Sequence, residues 1–191
     1  MLVQYNTKTI QVKIVYYGPA MSGKTTMLRS LSKKFNKVQD LTSIETTTGR
    51  TLFFDFGSLN FKGSDWNIKI LMYTATGQDF YASTRPSKLH GTDGLIFVMD
   101  SNPELIEDNK QSWAELKKFF SNKIFDIPIV ICLNKRDLPN FISRERIMEF
   151  VESEFFSKIE VKETIATEGK GVAESFSSLL NFVFPGIKIL N

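Results

Sequence analysis

Gly18-Pro19-Ala20-Met21-Ser22-Gly23-Lys24-Thr25 follows the apolar run Val12-Lys13-Ile14-Val15-Tyr16-Tyr17. The octet has the spacing G-x-x-x-x-G-K-S/T, a loop that cradles phosphate. Gly18 and Gly23 let the backbone curl around an anion with no Cβ in the way. The amides from Ala20, Met21 and Ser22 through Gly23, Lys24, Thr25 and Thr26 then point at it, aided by the start of a helix. Lys24 supplies a charge to the β- and γ-phosphates, and the Thr25 hydroxyl suits Mg²⁺. The flanks agree. Residues 10–17 read as a strand, and Met27, Leu28, Leu31 and Phe35 recur at helical spacing, predicting a helix over 24–35.

Composition fits one globular domain over residues 1–191, long enough to bury a core. With 24 basic against 21 acidic residues the net charge is +3, too mild to argue for nucleic acid as a partner. The one cysteine, Cys132, lies in the apolar run Ile129-Val130-Ile131-Cys132-Leu133. It reads as a small buried hydrophobe and points to a reducing, cytoplasmic setting. Apolar runs are of strand length, so no transmembrane helix is expected. Neither end carries a lipidation signal, so no direct lipid anchor is expected.

Further along, strands and helices alternate. Residues 36–50 read as a polar loop rich in threonine, and a loop that long is usually functional. Thr51–Phe56 and Trp66–Tyr73 read as strands of a hairpin, with Gly57–Asp65 as the turn between them. A loop at 74–79 leads to a short helix before Gly91. Gly94–Asp100 and Ile127–Leu133 read as buried parallel strands. Pro103 opens a helix whose inner face is Asn109, Trp113, Leu116 and Phe120. Ser143 caps another, with Ile147, Phe150 and Val151 inward. Ile159–Ala166 is the last strand, and the last helix stops before Pro185. The expectation is an α/β domain with a six-stranded, mostly parallel sheet, one antiparallel strand and about five helices. Ligands of such sheets bind at the carboxyl ends of the strands, where the octet, Gln78, Asp100 and Asn134 all fall.

Asn134-Lys135-Arg136-Asp137 directly follows a buried strand and has the pattern N-K-x-D. A carboxylate at Asp137 accepts from both N1–H and the exocyclic amine of guanine; adenine offers neither donor there. Sites built on such patterns discriminate strongly. The Lys135 stem can lie along the base while Asn134 braces the loops. A guanine nucleotide is therefore the expected ligand.

Glu163-Thr164-Ile165-Ala166-Thr167-Glu168-Gly169-Lys170-Gly171-Val172 resembles the E-T-S-A-K-x-G-x-G-V stretch of Ras and Rab GTPases. With Arg50-Thr51-Leu52-Phe53-Phe54-Asp55-Phe56, Tyr73-Thr74-x-x-Gly77-Gln78-x-Phe80-Tyr81 and Asn134–Pro139, it makes the chain similar to small Ras-like GTPases over roughly residues 10–184. The MglA-type bacterial and archaeal branch is the nearest likeness. The resemblance implies the Ras-like P-loop NTPase fold and a GTP/GDP switch with Mg²⁺. It implies that Thr51 senses Mg²⁺ and the γ-phosphate, that Gly77 places an amide on that phosphate, and that Gln78 orients the attacking water. The Ala166 amide would meet the guanine oxygen, with Thr167 in the lysine's place beside it. Arg50 matches the intrinsic arginine finger of the MglA type. A Roadblock-type regulatory protein is the implied partner; the effector is not implied.

The sequence departs from the pattern twice. Thr74-Ala75-Thr76-Gly77 lacks the aspartate of D-x-x-G, a loss shared with MglA-type proteins, and Asp55 is the nearest acidic candidate for the metal shell. Ala20 stands where glycine is usual. Three readings stay open: a slow GTP-hydrolysing switch, a guanine-nucleotide-binding scaffold with negligible hydrolysis, and a P-loop kinase or ATPase. Arg50, Thr51 and Gln78 favour the first. Ala20 and the missing aspartate favour the second, and Asn134–Asp137 opposes the third.

Overall fold

The computed structural model describes residues 1–35, 39–42, 56–62, 65–75, 89–152 and 155–185. The elements in chain order are β1 (Leu2–Gln4), β2 (Thr9–Tyr17), α1 (Lys24–Phe35), β3 (Gln39–Thr42), β4 (Phe56–Lys62) and β5 (Asn67–Thr74). There follow β6 (Gly94–Asp100), α2 (Ile106–Phe120), β7 (Ile129–Asn134), α3 (Arg144–Val151), β8 (Ile159–Glu163) and α4 (Val172–Val183). All eight strands join one sheet of order β3-β4-β5-β2-β6-β7-β8, with β1 paired to β2 beside that path.

From β5 to β8 the neighbours are parallel, so their carboxyl ends share one edge. β4 pairs antiparallel with β5 from Phe56↔Tyr73 to Lys62↔Asn67, so a hairpin forms in the expected region with β4 as its first strand; residues 51–55 of the strand expected over Thr51–Phe56 lie outside the described residues. β4 occupies Phe56–Lys62, where a turn over Gly57–Asp65 was expected. Gly57, Ser58 and Asn60 are turn formers, but cross-strand pairing of Leu59 with Ile70 and Phe61 with Ile68 overrides that local preference. Two further strands are short edge pieces. β3 falls within the expected 36–50 loop and pairs with β4; β1 pairs with the first half of β2. The expected last strand ends at Glu163, after which a turn closed by an Ile165↔Lys170 bridge leads to α4.

Alternation along β2 builds two cores. Val12, Ile14 and Tyr16 face α1 and α4, against Met27, Leu28, Leu31, Phe176 and Leu179. Val15 and Tyr17 face the other side, with Phe97, Trp113, Leu116, Ile147 and Val151 from β6, α2 and α3. Successive strand residues point to opposite faces, so a strand covered by helices on both sides must be apolar throughout. β6 and β7 are buried at every position. Cys132 belongs to the first core, and burial pushes its thiol up to about 12. It is an inert space-filler.

The helices begin as their sequences dictate. A 3₁₀ turn at Pro103–Leu105, capped by the Asn102 side chain, leads into α2. Ser143 Oγ accepts from the Arg146 amide at 3.3 Å and starts α3. α1 has no acidic residue in its first turn and carries Lys33 and Lys34 in its last. Its positive N-terminal pole is thus left for an external anion.

Candidate functional site

Four loops meet at the carboxyl edge of the sheet, after Tyr17, Asp100, Asn134 and Glu163. The first is the octet. Gly18 has φ +144° and Gly23 +101°. A Cβ on Gly18 would lie 2.1 Å from the Val98 carbonyl oxygen, and one on Gly23 2.2 Å from Asn134 Nδ2. The loop therefore needs glycine at both ends, as its spacing implies. Met21, between them, also holds a positive φ of 61° and is exposed. A left-handed non-glycine residue costs about 1 kcal/mol or more and tends to mark functional loops.

Lys24 is buried, and its Nζ donates to the Gly18 and Pro19 carbonyl oxygens at 3.0 and 2.5 Å. Its charge is thus folded back on the loop that it closes. The Ser22 hydroxyl is buried with no hydrogen-bond partner among the described residues. Thr25 and Thr26 are half-buried in the first turn of α1, and Ala20 is exposed. A buried ammonium, an unpartnered hydroxyl, a glycine-bounded loop and an open helix pole together fit a polyphosphate with its metal.

Asn134 joins the loops. Its Nδ2 donates to the Ser22 carbonyl at 2.8 Å. Its Oδ1 accepts from the Ala166 amide at 3.0 Å and from Thr164 Oγ1 at 3.2 Å. One buried side chain thereby ties the octet, the end of β7 and the turn after β8. The Ala166 amide, which the resemblance assigns to a guanine oxygen, is engaged here by Asn134. Ala166 is buried, and Thr167 beside it is exposed. Lys135 takes φ 65°, and its Nζ donates to Asp100, a fully buried carboxylate whose Oδ1 also accepts from the Asn102 amide. Asp137 is exposed. The Lys170 ammonium has its pKa raised, chiefly by a hydrogen bond and charge from Glu168, with Asp137 adding to it. Asp137 therefore lies near Lys170, which is on the same turn as Ala166.

Two contributors escaped the motif reading. Asp100 was expected only to sit at this edge; it anchors Lys135. Asn109, the one polar member of the stripe Asn109, Trp113, Leu116 and Phe120, takes both backbone groups of Asp100: its Oδ1 accepts from the Asp100 amide, and its Nδ2 donates to the carbonyl. A polar residue in an otherwise apolar helical stripe was the available signal. Arg50, Thr51, Asp55, Gly77 and Gln78 lie outside the described residues. Of the expected metal ligands only Thr25 is described.

Fold and site together define a P-loop nucleotide-binding protein of the Ras-like class. The chain belongs to the ADP-ribosylation factor family, whose profile matches residues 1–183. It is 35% identical over 195 residues to the mutual gliding-motility protein MglA of Myxococcus xanthus (strain DK1622), covering 97% of each chain. Over 140 residues it is 34% identical to ADP-ribosylation factor-like protein 6 of Caenorhabditis elegans, covering 71% of this chain and 66% of that one. It is 28% identical over 174 residues to the Ras-related protein Rab-11B of Dictyostelium discoideum, covering 90% and 73%. The chain is thus a small GTPase, a GTP-binding and GTP-hydrolysing switch. Its family binds guanine nucleotide, Mg²⁺ and regulatory proteins. Among the described residues, no helix is long and apolar enough to cross a membrane.

Proposed function

We propose that this chain is a single G domain that cycles between GTP and GDP, hydrolyses GTP slowly alone and is accelerated by a partner. The observation that carries the reading is the Asn134 brace, which sets the phosphate loop and the N-K-x-D loop at a fixed spacing. A nucleotide has that same two-ended form, a polyphosphate and a base.

The loop from Gly18 through Ala20, Met21, Ser22 and Gly23 wraps the phosphates with its amides, and Lys24, Thr25 and Thr26 continue into α1. Lys24 exchanges its carbonyl partners for β- and γ-phosphate oxygens, a charge-assisted contact about twice as strong as a neutral one. Thr25, Thr51 and Asp55 form the protein's share of the Mg²⁺ shell. The metal neutralises charge on the phosphate oxygens when bound. Asn134 and Lys135 hold the base, and Asp137 accepts from its N1–H and amine. Ala166 and Thr167 line its oxygen edge. Gly77 sets an amide on the γ-phosphate, Gln78 orients the attacking water, and Arg50 is an arginine finger supplied in cis. The regulator is a Roadblock-type protein, and the single buried Cys132 suits a cytoplasmic setting.

A finger acts on the transition state and leaves ground-state binding nearly untouched. Arg50→Ala should therefore keep GTP affinity within a few-fold. In the partner-stimulated reaction it should lower single-turnover cleavage by up to about 10³–10⁵, the span of engaged fingers. Equal stimulated rates for the two proteins would remove Arg50 from the mechanism, leaving Gln78, Lys24 and Thr51. Absence of cleavage in the wild type, with and without partner, would refute hydrolysis by this chain.

A further inference from the structure

Arg136 stands between Lys135 and Asp137, the residues proposed above to hold and read the base, yet its own side chain is only 7% exposed. Nη1 donates to the Ile142 carbonyl at 2.6 Å, and Nη2 donates to Glu163 Oε1 at 2.6 Å. The guanidinium carbon lies 4.3 Å from the centroid of the Phe141 ring. The Arg136 amide donates to the Thr164 carbonyl at 3.3 Å. One residue thus links the start of the loop after β7, its far end at Ile142, and the end of β8. The circuit closes through Ser101, whose carbonyl accepts from the Ile142 amide at 2.8 Å and whose amide donates to the Asn134 carbonyl at 3.0 Å.

An ion pair alone would not matter much here, because Glu163 is 60% exposed and solvent screens it. Geometry matters more. A planar guanidinium held by two acceptors and an aromatic face fixes direction as well as charge, which a lysine cannot do. Asp137, the next residue, is exposed. Little packing sets its carboxylate, so its place follows from the backbone on either side.

We infer that Arg136 is a positioning residue for base selection: by clamping the loop to Ile142 and Glu163 it aims the Asp137 carboxylate, and so sets how strictly the exocyclic amine of guanine is required. The inference rests on Asp137 being the base-reading residue. Neither the N-K-x-D pattern nor the relatives' names assign this role to the x position.

Inosine triphosphate differs from GTP only in lacking that amine, so the ratio of the two affinities reads the Asp137–amine bond. It should be measured by equilibrium titration for wild type, Arg136→Ala, Arg136→Lys and Glu163→Ala, with the melting temperature of each. Wild type should favour GTP. A hydrogen bond to a charged group corresponds to about tenfold or more in affinity. Arg136→Ala and Arg136→Lys should accordingly lower the ratio by about tenfold, with GTP losing more than inosine triphosphate. Should neither fold, Glu163→Ala decides: it removes the acceptor of Nη2 and leaves Arg136 itself in place, with a fall of a few-fold expected. A lower melting temperature with an unchanged ratio would make Arg136 a structural residue only and overturn the inference. A wild type with no preference for GTP would instead defeat the base-reading assignment of Asp137 itself.

Discussion

Asn134 shows how much one side chain can organise. It is 2% exposed and uses both ends of its amide on three partners drawn from two other loops. Asn134→Ala would leave the Ser22 carbonyl, the Ala166 amide and the Thr164 hydroxyl unpartnered in buried surroundings. Each such loss costs about 1–3 kcal/mol. Global stability should fall by at least about 2 kcal/mol in urea unfolding, and guanine-nucleotide affinity should fall with it. Asn134→Asp is the sharper variant: it keeps an acceptor for Ala166 and Thr164 and turns the Nδ2 donor into an oxygen facing the Ser22 carbonyl. It should lose the nucleotide while losing less stability than the alanine. Wild-type affinity in both variants would show that the brace is incidental to binding.

At the scale of elements, β6 and α4 meet with no room to spare. A Cβ on Gly94 would come 3.2–3.3 Å from Cγ, Cδ1 and Cδ2 of Leu179, itself fully buried. Gly94→Ala should therefore destabilise by about 1–3 kcal/mol through overpacking. Leu179→Ala alone should cost about 2–5 kcal/mol. The double variant should cost less than the sum, because the new methyl enters the space that Leu179 vacates. Strict additivity in denaturant unfolding would mean that the two sites do not press on each other. The same elements mark what was legible in advance. β6 and β7 are unbroken apolar runs between turn formers, and α1 has both a loop that dictates its start and an apolar stripe of period near 3.6, so these were plain in the sequence. β3, Gln39-Asp40-Leu41-Thr42, has one strongly apolar residue and owes its existence to pairing with β4. β4 itself carries three turn formers, Gly57, Ser58 and Asn60, among its seven residues and is fixed by β5. Cross-strand partners decide such segments, and a local reading does not contain them. In the site, the octet and N-K-x-D were legible because backbone geometry and base pattern dictate residue type at fixed spacing. The roles of Asp100, Asn109 and Arg136 depend on which loops the sheet brings together, so they became visible only in the fold.

For the whole molecule, the parallel strands collect the loops on one edge, where buried hydrogen bonds join the loops to one another. Ser22, Asn134, Thr164 and Ala166 form a polar seam above two apolar cores. Such a seam is formed only in the folded chain, so a ligand that requires it must stabilise the entire fold by mass action. GDP or GTP with Mg²⁺ at about 100 times its dissociation constant should add about 2.7 kcal/mol. For a chain of this size that corresponds to about 5–11 °C in melting temperature. At the same concentration inosine triphosphate should give a smaller rise, and ATP almost none, because Asp137, the proposed reader of the base, finds no donors on adenine. Chelating the metal should shrink the GTP shift, since the proposed ligands, Thr25 among them, then lose their share of the contact. The shift should vanish in Lys24→Ala, whose apolar side chain leaves the phosphates without their buried charge. Equal shifts with ATP and GTP would separate the two halves of the site: the octet would still be a phosphate loop, and the Asn134–Asp137 turn would be structural.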